Sequence, residues 1–281
     1  MRVGLATIQH GRRRQLDLQA QAVAQVAGVA RYLVVSMDDA PAPTGAELLR
    51  VPVADPDRLP LAAARNRAIT ALADCDLVVL LDVDCLPHPA IIEAFVAAAH
   101  EVTPARAVMF GPVGWLTDPV SPDQLDCTLS DAVGMPVKRD FPRSGLAREP
   151  RPELFWSLAF AVAPSAHRAV GGFDERYAGW GAEDTDYGRR AHRRGLELWK
   201  VAGAWAFHQP HPPAYRTPAQ IAAVVENARR FHATWGDWPM PDVLGRLASA
   251  QAISWSPDGA TIAAGPVSRP PAAGGARAPS R

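Results

Sequence analysis

Three stretches carry side chains whose types and spacing could do chemistry. Asp82-Val83-Asp84 sets two carboxylates two residues apart, which points both to one side of an extended segment. Oxygen donors of that kind suit Mg2+ or Mn2+, and such an ion neutralises a diphosphate. Gly179-Trp180-Gly181-Ala182-Glu183-Asp184-Thr185-Asp186 joins a glycine-permitted turn to a run of acids. The acids fall in the first turn of a following helix, where the macrodipole favours them. A carboxylate there can accept a proton from a hydroxyl nucleophile, and the Trp180 face can seat a sugar ring. In Phe207-His208-Gln209-Pro210-His211-Pro212, an imidazole ends a strand before a proline-rich turn, a suitable place for a metal ligand. Ala64-Arg65-Asn66-Arg67 and Arg12-Arg13-Arg14 offer guanidinium groups that could face phosphate. Each stretch also has a plainer reading. Asp can end a strand before Pro87, acids can cap a helix, a histidine can satisfy a hydrogen bond, and arginines can line a solvated face.

The elements that must position these residues follow from periodicity. Val3–Ile8, Tyr32–Ser36, Leu77–Leu81 and Ala107–Phe110 are short apolar runs that predict strands. Gln15–Val29, Ala62–Ala73 and Pro89–Glu101 have helical spacing. Strands alternating with helices predict an α/β fold, a mostly parallel central sheet with helices on both faces. In such a sheet ligands sit beyond the carboxyl ends of the strands, which is where Asp82 and Asp84 fall. Residues 115–152 lack periodicity and read as a functional loop or a mobile one. Regular structure resumes at Leu154–Val162. A helix opens near Gly181–Asp186 and ends around Gly195, one or two strands occupy Glu197–Phe207, and a helix occupies Thr217–Thr234. From Gly259 the chain is Ala, Pro, Gly, Ser and Arg, and reads as a disordered tail over 259–281.

Composition bounds the function. The 281 residues are 48% hydrophobic and 21% charged, enough for a sizeable core. Basic and acidic residues both number 29, so the balance does not favour a nucleic-acid partner. Three cysteines without a CxxC pair point away from a disulfide scaffold or a cysteine-rich zinc site. No stretch reaches the ~20 apolar residues of a transmembrane helix, and the N-terminal run has the wrong charge order for a secretory signal. The expectation is a cytoplasmic protein, with peripheral contact at the inner membrane face left open.

In order along the chain stand Asp38-Asp39 after the second strand, Ala64-Arg65-Asn66, Leu80-Leu81-Asp82-Val83-Asp84, Val170-Gly-Gly-Phe-Asp-Glu175, Gly179-Trp-Gly-Ala-Glu-Asp184 and His208. This succession resembles the GT-A-fold glycosyltransferases of the family 2 type. The C-terminal half is similar to the segment shared by β-1,4-galactosyltransferases and polypeptide N-acetylgalactosaminyltransferases. The resemblance covers roughly residues 1 to 235. GGFDERYAGWGAEDTDYGRR is its most specific block and LLDVDCLPHP the second.

The resemblance implies a GT-A domain over 1–240, with a nucleotide-binding half at 1–113, an acceptor and catalytic half at 153–235, and an extension at 241–258. It implies metal-dependent, inverting transfer of a hexose from a nucleotide-diphosphate sugar, a UDP-sugar, to a hydroxyl of a glycan, lipid-linked or small-molecule acceptor. Asp84 would be the main ligand of Mn2+ or Mg2+, completed by His208, with His211 as substitute. Asp82 would belong to the same site, contacting ribose or donor sugar. Asp39 or Asp38 would touch the uridine, and Arg65 would lie near the nucleotide. Asp184 would be the general base, Glu183 would bind the acceptor or orient that base, and Trp180 would pack on sugar. Where this family usually has aspartate-glycine-serine, the chain reads Ser36-Met-Asp-Asp-Ala-Pro41. Two other functions fit parts of the pattern. A sugar nucleotidyltransferase needs a glycine-rich loop after the first strand, where Gln9-His10-Gly11-Arg12 has one glycine. A nucleotide-sugar- or carbohydrate-binding protein without turnover would have no use for Asp184.

Overall fold

The computed structural model describes residues 1–131, 133–135, 137–259 and 262–264. The chain forms two compact units. The first comprises Met1–Ala54, Pro60–Arg176 and Glu183–Pro210. The second comprises Asp55–Leu59, Tyr177–Ala182 and the residues from His211 onward.

The first unit runs β1 (Val3–Gln9), α1 (Arg13–Val23), β2 (Val29–Ser36), β3 (Glu47–Arg50), α2 (Leu61–Ala71), β4 (Leu77–Asp82), β5 (Cys85–Pro87), α3 (Ile91–Glu101), β6 (Ala107–Phe110) and β7 (Val113–Trp115). It continues with α4 (Leu125–Asp131), β8 (Leu146–Arg148), β9 (Ala159–Val162), α5 (Pro164–Val170), α6 (Glu183–Arg193), β10 (Glu197–Val201) and β11 (Ala206–His208). Eight strands make one sheet in the order β3-β2-β1-β4-β9-β6-β10-β8. The pairs from β3 through β4 are parallel, as is β6 with β10. Strand β9 runs antiparallel to both its neighbours, and β8 runs antiparallel to β10. Strand β1 is buried along its whole length and β4 up to Asp82, as the uninterrupted apolar runs require of strands covered on both faces. One core gathers Leu5, Val34, Val79, Ile92, Phe95 and Met109. Cys75 and Cys85 are buried free thiols, whereas Cys127 is free and exposed.

A second sheet of three short strands has the order β5-β11-β7. Its central strand β11 lies antiparallel to β5 and parallel to β7. The register puts His208 opposite Cys85 on one side and Trp115 on the other. This little sheet carries the end of the Asp82–Asp84 turn to the foot of the histidine strand.

The second unit contains α7 (Pro218–Trp235), α8 (Pro241–Ser249), β12 (Ile253–Ser254) and β13 (Ala263–Ala264). Helix α7 starts with a capping box in which Thr217 accepts from the Gln220 amide and Gln220 reaches back, with Pro218 in the first turn. It ends on Gly236 in the left-handed region. Ile221, Val224, Ala228, Leu244 and Leu247 form its core. Trp180 packs against this cluster, its ring 5.1 Å from that of Tyr215.

Most predicted elements are present, and helix α5 was not foreseen. Helix α1 ends at Val23 rather than near Val29, because β2 already begins at Val29. The stretch 115–152 holds a short helix and a strand, α4 and β8. Strands β3, β5 and β7 were not foreseen, being three or four residues long and too short to show a period. Of the proposed tail, residues 260–261 and 265–281 lie outside the described residues.

Candidate active site

The parallel strands β1, β2 and β4 end side by side, with Gln9 opposite Ser36 and Ile8 opposite Asp82. The segments leaving them bring Arg12, Asp38 and Asp82–Asp84 to one edge of the sheet. Gln19, buried on α1, braces that edge. Its amide nitrogen donates to the Asp82 and Cys85 carbonyls, both at 2.8 Å. Those two bonds clasp the turn on which Asp84 sits.

Asp84 and His208 come together. The amide of Gln209 donates to the Asp84 carbonyl at 2.7 Å, and His208 Nε2 stands 3.6 Å from Asp84 Oδ1. Both side chains are buried, and the His208 ring stacks on Trp115 with centroids 4.0 Å apart. Arg12 Nη1 lies 3.1 Å from Asp84 Oδ2, so this carboxylate already faces one cation. A carboxylate oxygen and a ring nitrogen at this separation fit neighbouring positions around one divalent ion, and a mixed oxygen and nitrogen set suits Mn2+. His211 opens the second unit, three residues along the chain.

Asp82 and Asp84 differ in their partners. Asp82 Oδ1 pairs with Arg65 Nη2 at 2.9 Å, and Arg65 Nη1 pairs with Glu183 Oε1 at 3.0 Å. Arg65 is buried in the middle of α2 and bridges the strand β4 acid to the acid that opens α6. Burial pushes the Asp82 carboxyl up; Arg65 pulls it down and Asp84 raises it again. Asp184, next to Glu183, accepts from the Thr185 amide at 2.7 Å. Burial and the Glu183 charge raise its pKa to about 7 against the pull of Arg65. A carboxylate near neutrality is well matched to taking a proton from a hydroxyl.

The remaining candidates have other surroundings. Asp38 is occupied by protein donors: the Gly11 amide at 2.6 Å, the Ala40 amide at 2.9 Å, Gln9 Nε2 at 2.6 Å and the Ser36 hydroxyl at 2.9 Å. Burial alone would raise its pKa, but these bonds bring it down to about 2. It ties the loop after β1 to the loop after β2. Asp39 is fully exposed, 3.7 Å from Arg50. Trp180 belongs to the second unit and is half-buried there.

Several contributors were given no role by the sequence. Asn66 holds the Gly-Gly-Phe-Asp segment: its Oδ1 accepts from the Phe173 amide at 2.7 Å, and its Nδ2 donates to the Phe173 carbonyl at 2.9 Å and to Glu175 at 2.8 Å. Gly172 has φ of +71°, and a Cβ there would meet Asn66 Oδ1 at 2.9 Å, so both conformation and space call for glycine. Arg190 adds to the lock, donating to the Gly172 carbonyl at 2.6 Å while paired with Asp186. These contacts place α6, and hence Glu183 and Asp184, relative to α2 and Arg65.

The chain is similar to several known proteins. Residues 150–211 match the family described as the N-terminal domain of galactosyltransferase. The validoxylamine A glucosyltransferase of Streptomyces hygroscopicus subsp. jinggangensis is 28% identical over 190 residues, which are 61% of this chain and 44% of that protein. Structures of S. aureus TarS 1-349 in complex with UDP-GlcNAc and of GalNAc-T7 with UDP, GalNAc and Mn2+ superpose with TM-scores of 0.58 and 0.57 at 12% identity. They cover 89% and 91% of this chain, and 73% and 52% of theirs. The chain has the GT-A fold of these glycosyltransferase structures. A chondroitin synthase of Escherichia coli is also similar, 45% identical over 54 residues, 19% of this chain and 8% of that one. This GT-A chain spans less than half the length of the validoxylamine A glucosyltransferases it matches. Among its described residues no helix is long and apolar enough to cross a membrane.

Proposed function

We propose that this GT-A protein transfers a hexose from a UDP-sugar to an acceptor hydroxyl, with inversion and with Mn2+ or Mg2+ bound. The observation that carries the reading is the pairing of Asp84 with His208 at the same sheet edge as the Asp82–Arg65–Glu183 bridge and Asp184. Asp84 and His208 would hold the ion, with His211 following three residues on. A bound dication supplies Lewis acidity to the leaving diphosphate. Asp82 would meet the donor through ribose or sugar, kept in place by Arg65. Asp39, exposed beside the loop that Asp38 pins, would reach the uridine. Asp184 in its ionised form would take the acceptor proton as the new bond forms, and Glu183, anchored by Arg65, would orient the acceptor. Trp180 would offer a ring face to a sugar. Holding both reactants in line supplies much of the rate. The named ligands of GalNAc-T7 and TarS, UDP with Mn2+ and UDP-GlcNAc, support the donor assignment.

The test is hydrolysis and transfer of UDP-glucose, UDP-galactose, UDP-GlcNAc and UDP-GalNAc with Mn2+, with and without chelator. Turnover that needs the ion and is lost in Asp84→Ala and Asp184→Asn is the expected result. Full activity in either variant, or in excess chelator, overturns the mechanism.

A further inference from the structure

A pocket in the first unit lies outside the machinery described above. Phe110, Trp115, Phe141 and Trp156 wall it, with Lys138 and Arg139 at its margin. Both cations lie on aromatic faces. The Arg139 guanidinium carbon is 3.7 Å from the Trp156 ring centroid, and Lys138 Nζ is 3.3 Å from that of Trp115. Phe110 and Phe141 meet edge to face, their centroids 5.8 Å apart.

Arg139 is the unusual member. It is half-buried, and its Nε is enclosed without a hydrogen-bond partner. Among the described residues no carboxylate forms an ion pair with it. The acids that influence it are Asp184, Glu149 and Glu153, while Arg151 opposes them. Glu149 is already engaged by Arg151 at 2.9 Å and Lys200 at 3.1 Å. A stacked ring face compensates only part of the lost hydration of a guanidinium, and a buried cation without an anion is costly. The planar guanidinium fork is the group best suited to a carboxylate or a phosphate. The pocket also adjoins the reaction centre, because Trp115, one of its walls, stacks on His208.

We infer that this pocket is an acceptor subsite, in which the Arg139 guanidinium on its Trp156 platform binds an anionic group, carboxylate or phosphate, carried by the acceptor. The inference rests on the proposed glycosyl transfer and adds to it the chemical class of the acceptor. Phe110 and Phe141 would meet the apolar part of the acceptor, and Arg139 would fix its charged end.

The experiment compares three small acceptors that differ in charge: methyl glucoside, glucuronate and glucose 6-phosphate. Each is presented with the UDP-sugar that wild-type protein hydrolyses. Selectivity is the ratio of kcat/KM for a charged acceptor to that for the neutral one, measured in wild type, Arg139→Gln and Arg139→Lys. A charge-assisted contact predicts a wild-type preference of roughly ten- to a hundredfold, lost in Arg139→Gln and partly kept in Arg139→Lys. The two charged arms tell carboxylate from phosphate. Binding is read separately by calorimetry of glucuronate and glucose 6-phosphate with wild type and Arg139→Gln, with UDP present so that the donor site is occupied. Binding of either anion that falls at least tenfold in Arg139→Gln supports the subsite even if no transfer is seen. Equal use of neutral and charged acceptors, or an anion preference unchanged in Arg139→Gln, overturns it, as does the absence of measurable anion binding by wild type when no acceptor is used. Absence of any donor hydrolysis by wild type counts against the transferase reading alone. Thermal unfolding of the Arg139 variants establishes that each is folded.

Discussion

Replacing Arg65 by Met keeps an aliphatic stem of similar length and removes the charge that bridges Asp82 and Glu183. Opposite charges about 4 Å apart attract by about 4 kcal/mol at an effective dielectric near 20. The two pairs do not weigh equally. The Asp82 side chain is 23% exposed, so water takes over much of that interaction, whereas the Glu183 side chain is 6% exposed. The substitution also relieves the cost of burying Arg65, itself 4% exposed. Breaking a buried pair from one side costs about 3–5 kcal/mol, and with Asp82 partly exposed the lower end applies, about 3 kcal/mol. For a chain of this size that is a fall in Tm of about 6–12 °C. Urea unfolding followed by circular dichroism measures it without knowledge of the substrate. Glu183→Gln and the double variant close the cycle, with a coupling of about 1–3 kcal/mol expected between the two positions. A loss below about 1 kcal/mol, or strictly additive single variants, would refute the bridge as the element that holds α6 to α2.

Asp184 carries a sign that can be checked on two axes. Its pKa of about 7 means that activity from a general base rises as pH passes through 7 and levels above it. Because this carboxyl is raised on folding, its contribution to stability is complete below pH 4 and is lost as pH rises through 7. Asp184→Asn is therefore expected to flatten the fall in Tm between pH 5 and 8, and an unchanged slope would count against the raised pKa. Asn66→Ala removes three bonds to the Phe173–Glu175 segment and should cost about 1–3 kcal/mol in urea unfolding. Gln19→Leu leaves the Asp82 and Cys85 carbonyls without their shared donor; calorimetric titration with Mn2+ in the presence of UDP should show at least tenfold weaker binding.

Much of the scaffold was legible because it rests on local pattern. The apolar runs that became β1, β2, β4 and β6 are strands covered on both faces, and the helices between them show their period. The direction of β9 was not legible. Ala159–Val162 is as apolar as a parallel strand, and only its place between β4 and β6 makes it antiparallel. Strands β5, β7 and β11 have three residues each, so their pairing is decided by what surrounds them rather than by their own sequence. The same limit governs the site. Each acid and His208 could be singled out by type and position, and the resemblance supplied roles. That Arg65 would join two acids 118 and 17 residues away, and that Asn66 would lock Gly172, depends on α2 lying against both β4 and the Gly-Gly-Phe-Asp turn. No spacing in the sequence encodes those distances. Arg139 gave no signal at all, because an arginine in an aperiodic stretch looks like any solvated one until its surroundings are known.

Charge accounting joins these observations. Asp82, Asp84, Glu183 and Asp184 gather at one edge against the two guanidinium groups of Arg12 and Arg65. Four ionised acids would exceed their counterions by two, and the edge responds by keeping Asp184 partly protonated near neutrality. Under the proposed function the same excess favours a dication at Asp84 and His208, and an added positive charge would draw the Asp184 pKa downward. The acid limb of the pH–rate profile should therefore lie below the protonation midpoint measured without ion. Infrared titration of the carboxyl region, in wild type and Asp184→Asn, with and without Mn2+, gives the midpoints directly. If the Asp184 midpoint does not move down when Mn2+ binds, the base and the proposed metal site are not electrostatically joined, and the argument that one acidic edge serves both would fail.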